Sequence, residues 1–371
     1  MPTTPLAAAA ADLLSAGEET LGQSPCLVGL DGFVDTILHV VATRENAENY
    51  TRIEKMAEFS QRITGAIGLS TNFEMVQQMV KLGGNGPIMA NALDTYGAPV
   101  TYVGLLGTPN LHPVFADFAK RAKVISLAEP GYTDAIEFDD GKLMLGKNLS
   151  LGEVTWENLL AHISLEEMVE LFNKSALIAL VNWTMLAGMT GIFEALLAKV
   201  MPRVAGSPWI FFDLADPTKR TREDIAKAID LIAKFSQHAR VILGLNLKEG
   251  RQIGEVLDLP AFPETASAVA AQAAKIRERL GLETVVIHHV SFAAGADRVS
   301  HLAVKGPLVE KPRISTGAGD HFNAGFCIAC LLHAPLDLRL QIGVATSSYY
   351  VGTGKTPSTK DMVEFLNHLS V

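Results

Sequence analysis

Cysteine is scarce in this chain: Cys26, Cys327 and Cys330 are the only three in 371 residues. That is too few for a disulfide scaffold. Cys327 and Cys330 have C-x-x-C spacing, but no second ligand pair accompanies them. They lie in the apolar run 326–332 and read as small buried residues of a helix rather than a zinc or redox site. A basic cluster is also missing. Lys and Arg total 31 against 40 Asp and Glu, a formal net charge of −9. This argues against a nucleic-acid partner, whose binding depends on neutralising phosphates. A small anionic substrate stays possible, because backbone N–H groups can make a local anion site on an acidic protein. No apolar run reaches the ~18–20 residues of a membrane span. The N-terminus lacks the basic segment of a secretory leader, so the expected compartment is the cytoplasm. The first strand-like run, Cys26–Leu30, is not followed by Gly-x-Gly-x-x-Gly, which argues against a dinucleotide-dependent dehydrogenase.

What the chain does have is a sizeable apolar fraction, 48%, enough for one large core. Apolar β-type runs (Cys26–Leu30, Val100–Leu105, Ala176–Val181, Trp209–Asp213, Val241–Leu245 and Thr284–His288) alternate with amphipathic stretches. The stretches are Pro113–Ala122, Gly191–Val200, Arg222–Phe235 and Thr265–Leu280. Such alternation predicts an α/β fold with a mostly parallel sheet between two layers of helices. The alanine-rich residues 1–22 predict a helical extension before a single domain that spans 1–371.

Two regions interrupt the alternation. Within 36–80, the run Phe73–Val80 fits a strand or a helix. Within 130–148, Ala135–Phe138 and Leu143–Leu145 flank Asp139-Asp140-Gly141, a strong hairpin signal. Inserted strands of this kind often form a lid over a site.

The segment richest in chemistry is Ser315-Thr316-Gly317-Ala318-Gly319-Asp320, followed by the apolar helix Phe322–Leu332. Gly317 and Gly319 allow close approach of the backbone to a ligand, and free N–H groups at a helix start favour an anion. Asp320 then lies in the first turn, placed to accept a proton from an incoming hydroxyl.

Thr316–Asp320 with Phe322-Asn323-Ala324-Gly325-Phe326 resembles the C-terminal signature of the ribokinase-like (PfkB) carbohydrate kinases. The resemblance implies a three-layer αβα sandwich with a small β-containing lid. It also implies ATP and Mg²⁺ as cofactors, Asp320 as catalytic base, and the amides of Gly317, Ala318 and Gly319 as the anion hole. Thr316, Gly317, Gly319 and Asn246 would contact the nucleotide. Asn246-Leu-Lys-Glu249 resembles the family's Asn-x-x-Glu motif, which organises Mg²⁺ through water. The same residues also fit a helix capping box. Asp31 and Asp35 match the family's hydroxyl-binding start, and Gly83-Gly84-Asn85 its glycine signature beside the sugar. Asp216 reads as a helix cap, with Lys219 and Arg220 available to a phosphorylated acceptor. Relatives whose lids pair imply a homodimer through the lid.

Three positions depart from the family pattern. Ile314 stands where many members carry an Asp that helps bind a monovalent cation, so that requirement is not carried over. Ile88 replaces an expected Asn, and Val286–Val290, with His288 and His289, replaces a Thr-x-Gly turn near the nucleotide. The acceptor is expected to be a sugar-like small molecule. Asp31, Asp35 and Asn85 suit neighbouring hydroxyls, whereas the aromatics that could stack on a base (Tyr50, Phe59, Phe73 and Tyr132) lie outside the binding motifs. The alternatives are a nucleoside kinase of the same fold and a catalytically weak sugar sensor.

Overall fold

A computed structural model describes residues 4–307, 309 and 312–369. Its strands, in chain order, are β1 (Cys26–Gly29), β2 (Phe33–Arg44), β3 (Tyr50–Arg52), β4 (Met75–Gly83), β5 (Val100–Gly104), β6 (Lys123–Ser126), β7 (Gly131–Phe138), β8 (Gly141–Lys147), β9 (Leu177–Val181), β10 (Trp209–Asp213), β11 (Arg240–Asn246), β12 (Thr284–His288), β13 (Phe292–Ala296) and β14 (His301–Lys305). Nine of these form one sheet in the order β14-β13-β12-β11-β10-β9-β1-β5-β6. Pairing is parallel from β6 to β12 and antiparallel at the β12–β13–β14 edge.

The uninterrupted apolar runs arise because both sheet faces are covered. Alternate residues of each strand enter different cores. Ile178, Leu180, Ile210, Phe212, Val241 and Leu243 pack into one, while Leu177, Ala179, Trp209, Phe211 and Ile242 pack into the other. The first core lies against helices Leu165–Lys174, Arg222–Phe235 and Ala266–Leu280. The second lies against Asn85–Thr95, Ala318–Leu331 and Leu336–Thr353. The fold is the expected three-layer sandwich. Helix Pro5–Ala16, capped by Thr4, buries Ala7, Ala10, Ala11 and Leu14.

Asp320 through Leu331 are all buried in helix Ala318–Leu331, and both cysteines there are free and buried. Burying Phe322 and Phe326 contributes ~1.5–3 kcal/mol each, which fixes the helix and therefore its N-terminus.

The lid is a second sheet, ordered β3-β2-β7-β8, with β4 on β2. Phe138 pairs with Gly141 across the two-residue Asp139-Asp140 turn. Phe73–Val80 contributes a strand, not a helix, because Met75–Gly83 pairs antiparallel with Val40–Phe33. The lid has a small core of its own, with Phe59, Phe138, Val40, Ile53 and Ile136 buried and Phe73 packed against it. Among the described residues no helix is long and apolar enough to cross a membrane.

Candidate active site

The strands β1, β9, β10, β11 and β12 all end at one edge of the main sheet, and the order reverses around β1. Ligands of open α/β sheets bind outside the carboxyl ends at such a switch point. The loop before helix Ala318–Leu331 lies there. Gly317 caps the helix with φ 94°, a left-handed conformation that favours glycine. Asp320 follows in the first turn and accepts a hydrogen bond from Asn85 Nδ2 at 2.8 Å. Burial pushes its carboxyl up to about 7. Asp31 and Asp35 add to the rise, while Asn85 and Lys81 oppose it.

Two cavities meet at this loop. One, of about 370 Å³, is lined by Asp35, Gly84, Asn85, Lys142 and Asp320, and includes Thr316–Gly319. The other, of about 340 Å³, is mainly apolar and is lined by His288, Phe292, Val309, Phe322, Val344 and Val351, among others. Ser315, Ala318 and Gly319 line both. The glycine loop is therefore the shared wall between a polar chamber and an apolar one.

Asp35 is buried at the polar chamber, 3% exposed. Burial raises its carboxyl, while Lys81 and a hydrogen bond from Thr133 oppose the rise. A Cβ on Gly83 would come within 2.3–2.4 Å of the Asp35 carboxyl group, so glycine is needed for that close approach. Gly84 caps helix Asn85–Thr95 at φ 94°.

Asp31, expected to bind hydroxyls, lies buried among donors of the chain itself. It is 0% exposed, and its carboxylate accepts from Asn85 N (3.0 Å), Gly86 N (2.8 Å) and Asn182 Nδ2 (2.6 Å). The start of helix Asn85–Thr95 takes Asp31 as its anion, so Asp31 positions Asn85.

Asn246 and Glu249 line neither cavity. They form the capping box, with Glu249 N donating to Asn246 Oδ1 (3.0 Å) and Asn246 N to Glu249 Oε2 (2.8 Å). Asp216 N donates to Glu249 Oε1 at 2.7 Å. Asp216 itself makes no side-chain cap: its φ is 54° and its carboxylate accepts from Lys248 at 2.9 Å. Buried Asp213 accepts from Asn323 Nδ2 at 2.8 Å. Burial and the charges of Glu249 and Asp320 hold its carboxyl far above the usual range.

At the departures, Ile88 lines the polar chamber and packs beside Gly317, while His288 lies beside Gly319 on the apolar side. Burial holds His288 down at about 4, so it is neutral at pH 7.

Sequence reading missed Lys81, Lys142, Asn182, His321 and Tyr350. Lys81 sits two residues before Gly83, on the same face of β4, so strand alternation was the available signal. Lys142, Asn182 and Tyr350 are brought in by distant elements, while His321 adjoins Asp320 in the same helix. Tyr350 OH donates to Thr316 O at 2.9 Å. Its ring stacks on His321 at 3.6 Å.

The family model described as prokaryotic ketohexokinase matches residues 6–369. The chain belongs to this family. It is a carbohydrate kinase, within the wider ribokinase-like group that the glycine loop resembled. This ketohexokinase-family chain is 27% identical over 342 residues to a ketohexokinase of Haloferax volcanii, covering 91% of this chain and 90% of that one. Two solved structures share its fold. Arabidopsis thaliana ribokinase, complexed with ribose and ATP, has a TM-score of 0.61 at 16% identity, covering 94% and 99% of the two chains. Xylella fastidiosa fructokinase with bound ATP has a TM-score of 0.60 at 14% identity, covering 93% and 98%.

Proposed function

We propose that this chain transfers the terminal phosphoryl group of ATP to a hydroxyl of a ketohexose. The observation that carries this reading is the convergence of Asp320 and the Gly317–Gly319 helix start where the two chambers meet. The polar chamber takes the sugar, with Asp35 and Asn85 on its hydroxyls. The apolar chamber takes the nucleotide. Asp320 removes the acceptor proton as the hydroxyl oxygen bonds to the terminal phosphorus. The bond from phosphorus to the bridging oxygen breaks, and ADP leaves with its electron pair. The amides of Gly317, Ala318 and Gly319 hold the anionic oxygens in transit.

Magnesium fits as a hydrated ion. Among the described residues no cluster of three or more Asp, Glu, His or Cys side chains would hold a bare metal. Asp213, which feels the negative charge of both Glu249 and Asp320, shows an excess of carboxylate here. Asn246 and Glu249 would hold the ion through its waters, and it would neutralise phosphate charge. No monovalent cation is proposed.

The lid aromatics support a sugar over a nucleoside. Phe59 and Phe73 are spent on the lid core, Tyr132 packs against His112, and Tyr50 lies under Arg44. Phe33 is the one aromatic among the described lining residues of the polar chamber. A coupled ADP-release assay over ketohexoses, aldoses, sugar phosphates and nucleosides tests the assignment. Ketohexose turnover is the expected result, and turnover with nucleosides alone would overturn the acceptor. A wild-type chain that binds ketohexose but turns over no acceptor would be a sensor.

A homodimer through the lid belongs to the same reading. Val80 and Leu145, on lid strands, are 42% and 47% exposed, an apolar surface suited to pairing. Sedimentation at micromolar concentration is expected to give a dimer, and Leu145→Glu to weaken it; a wild-type monomer would count against the pairing. Three free thiols fit the proposed cytoplasmic setting.

A further inference from the structure

Lys81 and Lys142 stand on different lid strands, β4 and β8, and both are half-buried. Their ammonium groups meet at one residue. Lys81 Nζ donates to Thr316 O (3.4 Å) and to Tyr350 OH (3.3 Å). Lys142 Nζ donates to Ser315 Oγ (3.3 Å) and to Thr316 Oγ1. All four acceptors are neutral oxygens. Among the described residues neither lysine forms an ion pair, unlike Lys147 on the same strand β8, which pairs with Asp134 at 2.9 Å. Each ammonium has a third N–H to give.

A half-buried ammonium with only neutral partners is costly unless an anion completes it. Burial lowers both lysines, and Lys142 is further lowered by Lys81. Asp35, Glu137 and Asp320 pull both the other way. Both cations meet at Thr316, the residue before Gly317 and the start of helix Ala318–Leu331.

We propose that Lys81 and Lys142 clamp the phosphoryl group in transit, the lid supplying the positive charge that the glycine loop supplies only as dipoles. This rests on the kinase reading above. As the acceptor oxygen bonds to phosphorus and the bond to ADP breaks, the proton goes to Asp320 and the two ammonium groups keep theirs, each donating to an oxygen of the group. Phosphoryl transfer depends on such charge stabilisation. Thr316 holds the lysines in place between turnovers.

The test uses the full chain with Mg²⁺, ATP and ketohexose, and the variants K81Q, K142Q, K81R and K142R. Gln keeps a donor for Thr316 without charge, and Arg keeps the charge. Each Gln variant is expected to lose ~10–10²-fold in kcat, with KM for ketohexose within about threefold and substantial recovery in the Arg variant. A second readout is thermal shift. Ketohexose, Mg²⁺, ADP and aluminium fluoride together should stabilise the wild type beyond ADP alone. The Gln variants should keep the ADP increment and lose the fluoride one. Gln variants with kcat within about threefold of wild type and the full fluoride increment would overturn the clamp and leave the lysines as latches on Thr316. A loss confined to KM for phosphorylated ketohexoses would assign the lysines to an acceptor phosphate instead, and the clamp would fail. A wild type that binds ketohexose but phosphorylates no acceptor would sink the kinase reading, and this inference with it.

Discussion

Asp320→Asn should lower kcat by ~10²–10⁴-fold, the usual size of general-base catalysis, while the proposed ketohexose substrate should still bind. The carboxamide matches the carboxylate in shape, and Asn85 can reorient to keep a hydrogen bond at a position now 2.8 Å from Asp320 Oδ1. The lost quantity is basicity. The wild-type pH profile gives an independent check. Burial, with Asp31 and Asp35 near, raises the Asp320 carboxyl to about 7, against the pull of Asn85 and Lys81. A base must be deprotonated. The folded pKa lies above the ordinary carboxylate value, so activity is present above about 7 and declines as pH falls below it, toward tenfold per unit. Asp320→Asn should remove this acidic limb from whatever rate remains. Turnover within a few fold of wild type, or an unchanged limb in the variant, would take Asp320 out of the proton-transfer role.

Asp31→Ala should act first on stability. Three short hydrogen bonds converge on its carboxylate, from Asn85 N, Gly86 N and Asn182 Nδ2, with a longer one from the Tyr102 hydroxyl at 3.4 Å. The Tyr102 hydroxyl donates to its backbone carbonyl at 2.6 Å, a bond the variant keeps. Each buried donor left without an acceptor costs ~1–3 kcal/mol. With partial relaxation the sum is about 3–5 kcal/mol, a large share of the ~5–15 kcal/mol that holds a typical protein folded. At ~1–1.5 °C per kcal/mol for a chain of this length, the midpoint of thermal unfolding should fall by about 4–6 °C. Activity should fall as well, through Asn85, which would lose its fixed approach to Asp320. Asp31→Asn keeps one acceptor oxygen and should lie between. A midpoint within about 2 °C of wild type for Asp31→Ala would show that the helix start does not depend on this anion.

Much of this architecture was legible locally. The runs from Cys26 to His288 became neighbouring strands of the main sheet because strands covered on both faces must be apolar at every position. The Asp139-Asp140-Gly141 turn announced its hairpin. Gly317 and Gly319 before an apolar helix marked the loop, since that glycine spacing is the local requirement for an anion-binding helix start. Other segments were ambiguous for equally local reasons. In Phe73–Val80 the apolar residues Met75, Val76, Met79 and Val80 recur at near-helical spacing. Only pairing with β2 makes the segment a strand. Strand β13, Phe292–Ala296, is mostly alanine and glycine and carries little β signal of its own. It is a strand because β12 and β14 flank it.

The site divides the same way. Sequence by itself determined the layered α/β fold, the loop at Thr316–Asp320 and the carboxylate in the first turn after it, because turn chemistry, capping and strand burial act over a few residues. Tertiary structure decided which charges share the chamber. Asn85 reaches Asp320 across 235 residues, and Lys81 reaches Thr316 across the same separation. Asp31 and Asp35, four positions apart and alike on paper, have different surroundings: Asp35 lines the polar chamber, and Asp31 is taken by the start of a helix. Local periodicity specifies which face a side chain occupies. Which distant element it meets there depends on how the lid and the helices close over the sheet.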